Sequence, residues 1–277
     1  MKFNSGEIDL PDSLEAFNDY FMEKGWGDGL PLIPPTRERV EAMLARSPLP
    51  PDYVIGEVAP KWAVATPENI AINAVMAGCK PEYFVVVMAA VVACLDPDFN
   101  LYGVQTTTNS STPMILVNGP IAKQIGMNSK IGAFGQGCVP NATIGRAVRL
   151  VLINIGGALH GEMDRATQGW PGKYTFCAAE NEEENPWEPL HVERGFDPST
   201  STVTVAAVYG FHNIIDIAGQ TADEVLAVVS AGIAAVGTNN MANGGEPVIV
   251  FAPEKAKTIC DDGFSKDDVK RFLYEHA

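Results

Sequence analysis

Gly103-Val-Gln-Thr-Thr-Thr-Asn-Ser-Ser-Thr-Pro-Met-Ile-Leu-Val-Asn118 returns 134 residues later as Gly237-Thr-Asn-Asn-Met-Ala-Asn-Gly-Gly-Glu-Pro-Val-Ile-Val-Phe-Ala252. Across 23 ungapped positions the copies share seven residues: Gly103 with Gly237, Asn109 with Asn243, Pro113 with Pro247, Ile115 with Ile249, Ala122-Lys123 with Ala256-Lys257, and Ile125 with Ile259. Ordinary composition would give roughly one or two. Each copy follows a long apolar run suited to a buried helix, 83–95 in one and 222–236 in the other. Each then passes through a polar loop into a short apolar run headed by proline. The expected fold is α/β, with two related helix-loop-strand-helix halves in a pseudo-twofold arrangement. The plain alternative is that any helix, loop, strand and helix unit shares this texture.

Working outward, residues 1–60 read as an N-terminal helical arm, 61–160 as the first half, 161–200 as a functional insert and 201–277 as the second half. Asp12 or Ser13 caps a short helix with Leu14, Phe17 and Phe21 on one face. Gly27-Asp-Gly-Leu-Pro31 and Pro34-Pro35-Thr36 then mark a rigid irregular segment that wraps the core or a neighbouring subunit, so an oligomer is expected. Thr66-Pro67 and Pro81 start helices. The helix from Asn141 carries Ile144, Val148, Val151, Leu152 and Ile155 on one side and stops at Gly156-Gly157. Thr221 to Glu224 and Ser265 to Asp268 are N-terminal capping patterns. Residues 113–118, 202–208 and 247–251 read as strands.

The chain has 277 residues and 46% hydrophobic content, ample for a buried core. Its net charge of −15 repels nucleic acid and anionic membrane alike. Met1 to Leu10 has no apolar run, so no leader is expected and a cytoplasmic protein is the reading. Tyr83 to Leu95 is shorter than the roughly 20 residues that cross a bilayer. Cys79, Cys94, Cys138, Cys177 and Cys260 form no CxxC pair and should be free thiols.

Candidate chemistry gathers in three places. The two polar loops offer Gln105, Thr106, Thr107 and Asn109 from one copy and Asn240 from the other, with Asn118 at the strand end. If the halves meet, these neutral groups orient a polar substrate between them; otherwise they are ordinary solvated loops. The insert holds Cys177, His191 and Glu182, a thiol, a base and an acid from which a nucleophile can be built, although a cysteine between Phe176 and two alanines also has the context of a buried one. The third place is Gly132-Ala-Phe-Gly-Gln-Gly-Cys-Val-Pro-Asn141, where Gly135 to Asn141 could present amides to a phosphate or carboxylate, with Arg146 or Lys173 nearby. It matches neither a Walker loop nor a dinucleotide fingerprint, and no cofactor is assigned. His160, His191 and His212 with Asp164, Glu180 or Asp216 could form a metal shell, but no pair has HExxH or HxH spacing.

Gly27-Asp-Gly-Leu-Pro31, Ala71-Ile-Asn-Ala-Val-Met-Ala-Gly-Cys-Lys-Pro-Glu-Tyr83, Gly103-Val-Gln-Thr-Thr107, Asn141-Ala-Thr-Ile-Gly-Arg-Ala147 and Pro171-Gly-Lys-Tyr-Thr-Phe-Cys-Ala-Ala-Glu-Asn-Glu-Glu183 together resemble a poorly characterised bacterial family. That family is associated with a small companion protein bearing a selenocysteine- or cysteine-Gly-Ser-Cys motif. The resemblance spans nearly the whole chain. It carries over no catalytic residues, and the Cys-Gly-Ser-Cys motif is absent here. It implies thiol or selenol chemistry shared with a partner subunit. The leading expectation is therefore an enzyme, oxidoreductase or lyase, acting on a small polar or carboxylated molecule through Cys177, His191 and a nearby acid. The alternatives are a metal-dependent hydrolase or lyase and a non-catalytic subunit of a heteromeric enzyme.

Overall fold

Capping residues set most of the helix starts. In this computed structural model, which describes residues 3–277 apart from the side chain of Asn243, the Ser13 hydroxyl accepts from the Ala16 amide at the head of α1 (Leu14–Glu23). After α2 (Arg37–Leu44), strands β1 (Gly56–Val58) and β2 (Ala63–Ala65) form an antiparallel hairpin. Thr66 and Asn69 close a reciprocal cap on α3 (Pro67–Ala77). Pro81 starts a short turn that runs into α4 (Phe84–Cys94), which buries Phe84, Val87, Met88, Val91 and Cys94 and leaves one apolar face, Val85, Ala89 and Val92, exposed.

Contacts divide the chain into two units. The larger runs to Glu180 and resumes over Pro198–Gly210. Beyond α4 it contains α5 (Leu101–Thr106), β3 (Thr112–Asn118), α6 (Pro120–Gln124), α7 (Val139–Asn154) and β4 (Cys177–Ala179). β3 is the middle strand of three. It pairs in parallel with β4, Ile115 opposite Cys177, and antiparallel along its whole length with β5 (Thr202–Val208), Thr112 opposite Val208. A strand covered on both faces reads as a continuous apolar run, which explains Met114-Ile-Leu-Val117. Ile70 and Ala74 of α3, Phe84 and Val87 of α4, and Ile144, Val148 and Val151 of α7 join Ile115 and Val117 in one core. Burying each of the larger side chains contributes about 1.5–3 kcal/mol. Gly145 lets α7 come close to the segment before β4: a Cβ there would strike the Thr175 hydroxyl and stand 3.0 Å from the Phe176 nitrogen.

The smaller unit comprises Asn181–Asp197 and Phe211–Ala277. It includes the short α8 (Leu190–Glu193), then α9 (Ala222–Ile233), α10 (Asn239–Asn243), α11 (Pro253–Asp261) and α12 (Lys266–His276). Val225, Leu226, Val229, Ile259, Val269 and Leu273 form its core. Trp187 packs against that core and donates its indole N–H to Phe264 O at 2.9 Å. Thr221 and Ser265 make the capping boxes expected of them.

The mixture of helix and sheet is as expected, and so are the strands at 113–118 and 202–208. The boundaries differ. Phe17, Leu32, Val40 and Met43 sit in the larger unit's core, so the first sixty residues are part of it. The insert is shared between the units, parting after Glu180. The expected equivalence of the two halves is not borne out: the order of helices recurs, but the strand does not. Pro113 enters a fully paired β3, whereas residues 247–251 form no strand. Ile249 and Phe251 alternate onto the α9, α11 and α12 core while Val248 and Val250 stay 48% and 57% exposed. The segment has the period of a strand without the neighbours that would make it one. Among the described residues, no single helix is long and apolar enough to cross a membrane.

Candidate functional site

Polar chemistry in the larger unit concentrates where α5, the start of β3, α7 and the Pro171–Lys173 turn converge. Arg149 points from α7 into the core and is only 6% exposed. Its Nε donates to Lys173 O at 2.8 Å, Nη1 to Gln105 Oε1 at 3.0 Å and Nη2 to Thr112 Oγ1 at 2.8 Å. All three acceptors are neutral. Burial pulls the guanidinium below its ordinary pKa, partly offset by the charge of Asp164, but arginine keeps its proton in proteins. The Lys173 ammonium lies alongside, donating to Ser111 O at 3.1 Å and to Asp164 Oδ1 and Oδ2 at 3.0 and 2.8 Å. Burial lowers its pKa and Arg149's charge lowers it further, against the opposing pull of Asp164. Lys173 thus pairs directly with Asp164, whose charge Arg149 also feels without touching it. Gln105 Nε2 and the Ser111 hydroxyl are buried without partners, a costly condition for polar groups.

An open cleft of about 310 Å³ lies beside this cluster, lined by Thr108, Asn109 and Ser110 on one side and Thr167, Gln168 and Gly169 on the other. The two sides are tied at the base. Thr167 donates from its amide and hydroxyl to Thr108 O at 2.9 and 3.2 Å, and Trp170 donates its indole N–H to Ser110 O at 2.9 Å. Lys173 runs beneath the rim, its Cδ 3.7 Å from where a Cβ on Gly169 would sit. Trp170 packs edge-on against Phe176, with ring centroids 5.2 Å apart. Gly172 is required under that indole, since any side chain there would run into it. A second space of about 10 Å³, enough for one water, lies among Thr112, Arg149, Gly172, Lys173 and Thr175.

Of the residues expected from sequence, Gln105, Asn109 and Lys173 come together here. The thiol does not. Cys177 is the first residue of β4, 4% exposed and opposite Ile115. Burial drives its pKa far up, with Cys79 and Cys138 adding to the shift, so thiolate is strongly disfavoured. Cys177 belongs to the larger unit and His191 to the smaller. His191 is buried on α8 with Nδ1 3.9 Å from Glu182 Oε1, a neighbour beyond hydrogen-bond range.

The glycine loop before α7 is held in place by the Asn141 side chain. Asn141 donates to Asn128 O and Ala133 O at 2.8 and 3.0 Å and accepts from the Asn128 amide at 3.0 Å. The Gly135 amide is used by Gly132 O at 2.8 Å. Arg146 turns to Asp28 instead, with Nε and Nη2 at 2.7 and 2.8 Å from its two oxygens. This fork explains Gly27-Asp-Gly: the segment anchors to α7. Thr106 donates to Tyr102 O, Thr107 accepts from the Asn109 amide, and Asn118 donates to Glu180. Asn240 is exposed on α10 in the smaller unit. Among the described residues no group of three His, Cys, Asp or Glu side chains is placed to hold a metal. Asp164 and Asp216, both considered as ligands, are paired with Lys173 and Lys255.

Arg149 is the residue the sequence reading missed. Its signal was a charge one turn after Gly145 and three residues before Leu152, on a helix face otherwise reserved for small or apolar side chains. Comparison with protein-family models, curated proteins and solved structures finds no match to this chain, and the reading of its function rests on this geometry.

Proposed function

We propose that the protein is an enzyme that binds a small polar, carboxylate-bearing molecule in the Thr108–Ser110 and Thr167–Gly169 cleft and moves a proton on it with Lys173 and Asp164. The observation that carries this reading is the cluster of buried Arg149 and part-buried Lys173 near the Asp164 carboxylate, with unpartnered buried polar atoms, next to an open polar cleft. Excess positive charge in a low-dielectric site favours an anion. A lysine whose ammonium is destabilised by burial and touches a carboxylate has a partner with which to exchange a proton. Perturbed titratable groups beside a cleft are the usual mark of such sites.

Thiol or selenol chemistry, if it belongs to the reaction, is assigned on this reading to the companion subunit that the family resemblance implies. The burial of Cys177 favours that assignment. The test is NMR titration of the full chain with acetate, succinate and lactate. The expected result is shifts concentrated on the amides of Thr108 to Ser110 and Thr167 to Gly169. Shifts confined to other surfaces, or none across the series, reject the cleft as the ligand site.

A further inference from the structure

We infer that a second copy of this chain joins the larger unit along the free edge of β5, the two strands running antiparallel about Val205, with the apolar stripe of α4 covered in the same contact. Strand β5 is the outer strand of its sheet and pairs with β3 on one side only. Its remaining backbone groups can be read from β3. Ile115 donates its amide to Phe176 O at 2.9 Å and Val117 O accepts from the Glu180 amide at 3.2 Å, so Ile115 and Val117 turn their backbone groups to β4. The alternate residues Thr112, Met114, Leu116 and Asn118 therefore bond to β5, through Val208, Ala206, Thr204 and Thr202. Val203, Val205 and Ala207 point their N–H and C=O groups the other way. Among the described residues none of these groups meets a partner within the chain. Long edges are normally blunted by a charge, a proline or a bulge. Thr202-Val-Thr-Val-Ala-Ala-Val208 has no charge and no proline, and its register with β3 runs without a bulge.

A second observation lies on α4, the helix that packs against β5. The solvent side of a helix in a soluble protein is ordinarily polar. Here the positions i, i+4 and i+7 are Val85, Ala89 and Val92, with Val85 37% and Val92 51% exposed. Symmetry and charge identify the occupant. Two identical strands in antiparallel register are related by a twofold axis, and an axis at Val205 sets that residue opposite its own copy and Val203 opposite Ala207 of the second copy. Each outward N–H then meets a C=O. The axis stands perpendicular to the sheet, so both α4 helices lie on the same face of the joined sheet. A chain of net charge −15 repels a copy of itself wherever its acids lie, but neither β5 nor the α4 stripe carries a charged side chain. A basic partner would find no counter-charge on them.

Sedimentation of the full chain across the micromolar range, together with amide hydrogen exchange, tests this. The expected mass is twice the 29.6 kDa of one chain, with exchange at Val203, Val205 and Ala207 slowing as the dimer forms. Ala207→Pro deletes an outward N–H at an exposed position without touching the β3 ladder. Val92→Lys places a charge in the stripe. Each should weaken the dimer by about tenfold or more while keeping the native circular dichroism spectrum. If Ala207→Pro fails to fold, Val92→Lys and the exchange profile decide. A single-chain mass throughout overturns the proposal, as does a dimer that forms equally well in the folded variants or leaves the three amides exchanging freely. Protection of those amides in the single chain would give the edge to another segment of the protein, and would overturn it too.

Discussion

A thiol is larger and far less polar than a hydroxyl, and at buried Cys177 that difference is decisive. The thiol sits in β4 between core side chains, where burial suppresses ionisation. Cys177→Ala is expected to lower stability by about 1 kcal/mol, from lost packing alone. Cys177→Ser should cost more, about 1–3 kcal/mol, because it buries a hydroxyl. Urea unfolding midpoints of the two variants test this order, and a serine variant as stable as wild type would mean the side chain is less enclosed than described. At the same scale lies the reason the site was only partly legible. Gln105, Asn109 and Lys173 were visible as functional types in polar stretches. Arg149 was hidden because a helix position reveals burial by its neighbours, and its partners lie 44 and 37 residues away. The insert drew attention to Cys177 through sequence company, whereas burial is set by strand pairing that composition does not express.

Among elements, α3 holds the residues at Asn4 and Ser5 through one carboxylate. Glu68 accepts from the Ser5 amide at 2.6 Å and the Asn4 amide at 3.0 Å. Burial alone would raise its pKa, yet the hydrogen bonds from Ser5 and Asn4 outweigh it and hold the group below its ordinary 4.5. A depressed carboxylate contributes stability that is complete above the unfolded pKa and lost as pH falls through the folded one. Protection of the Asn4 and Ser5 amides, relative to the unfolded-chain exchange rate at each pH, should therefore be full above pH about 4.5 and decline below it. Glu68→Gln should remove that dependence, and a wild-type profile flat to pH 3 would contradict the assignment. Element starts were the most readable feature of the sequence, because Ser13, Thr66, Thr221 and Ser265 cap by local hydrogen bonds. Residues 247–251 show the limit: alternation is local, but a ladder needs a second strand, and the repeat with β3 could not supply one.

On the scale of the whole molecule, a net charge of −15 opposes the approach of the anion that the buried cations favour. The two effects differ in range. Surface repulsion extends over roughly a Debye length, about 10 Å at 0.1 M salt, while contacts inside the cluster are screened far less. The association rate of a dicarboxylate such as succinate should therefore rise with ionic strength between about 10 and 150 mM, with little change in dissociation rate. Stopped-flow or surface-immobilised binding measurements check this, and an association rate that falls with salt would place the binding surface in a positive field instead. The division of contacts into two units was not legible in advance, because its boundaries cross the insert rather than follow the repeat.

The parallel alignment of β3 with β4 also sets an order of events in time. Ser111 and Lys173 are 62 residues apart, and they meet only after the chain has run through α6 and α7 and returned alongside β3. Local helices form within microseconds, whereas a parallel crossover must first close a long loop and gains its contacts late. Upon dilution from denaturant, far-ultraviolet ellipticity should return before the capacity to bind a carboxylate, and the lag between the two measures the closing of the crossover. Simultaneous recovery would show that β3 and β4 pair in the first kinetic event. The ligand site thus doubles as a clock for the closing of this crossover.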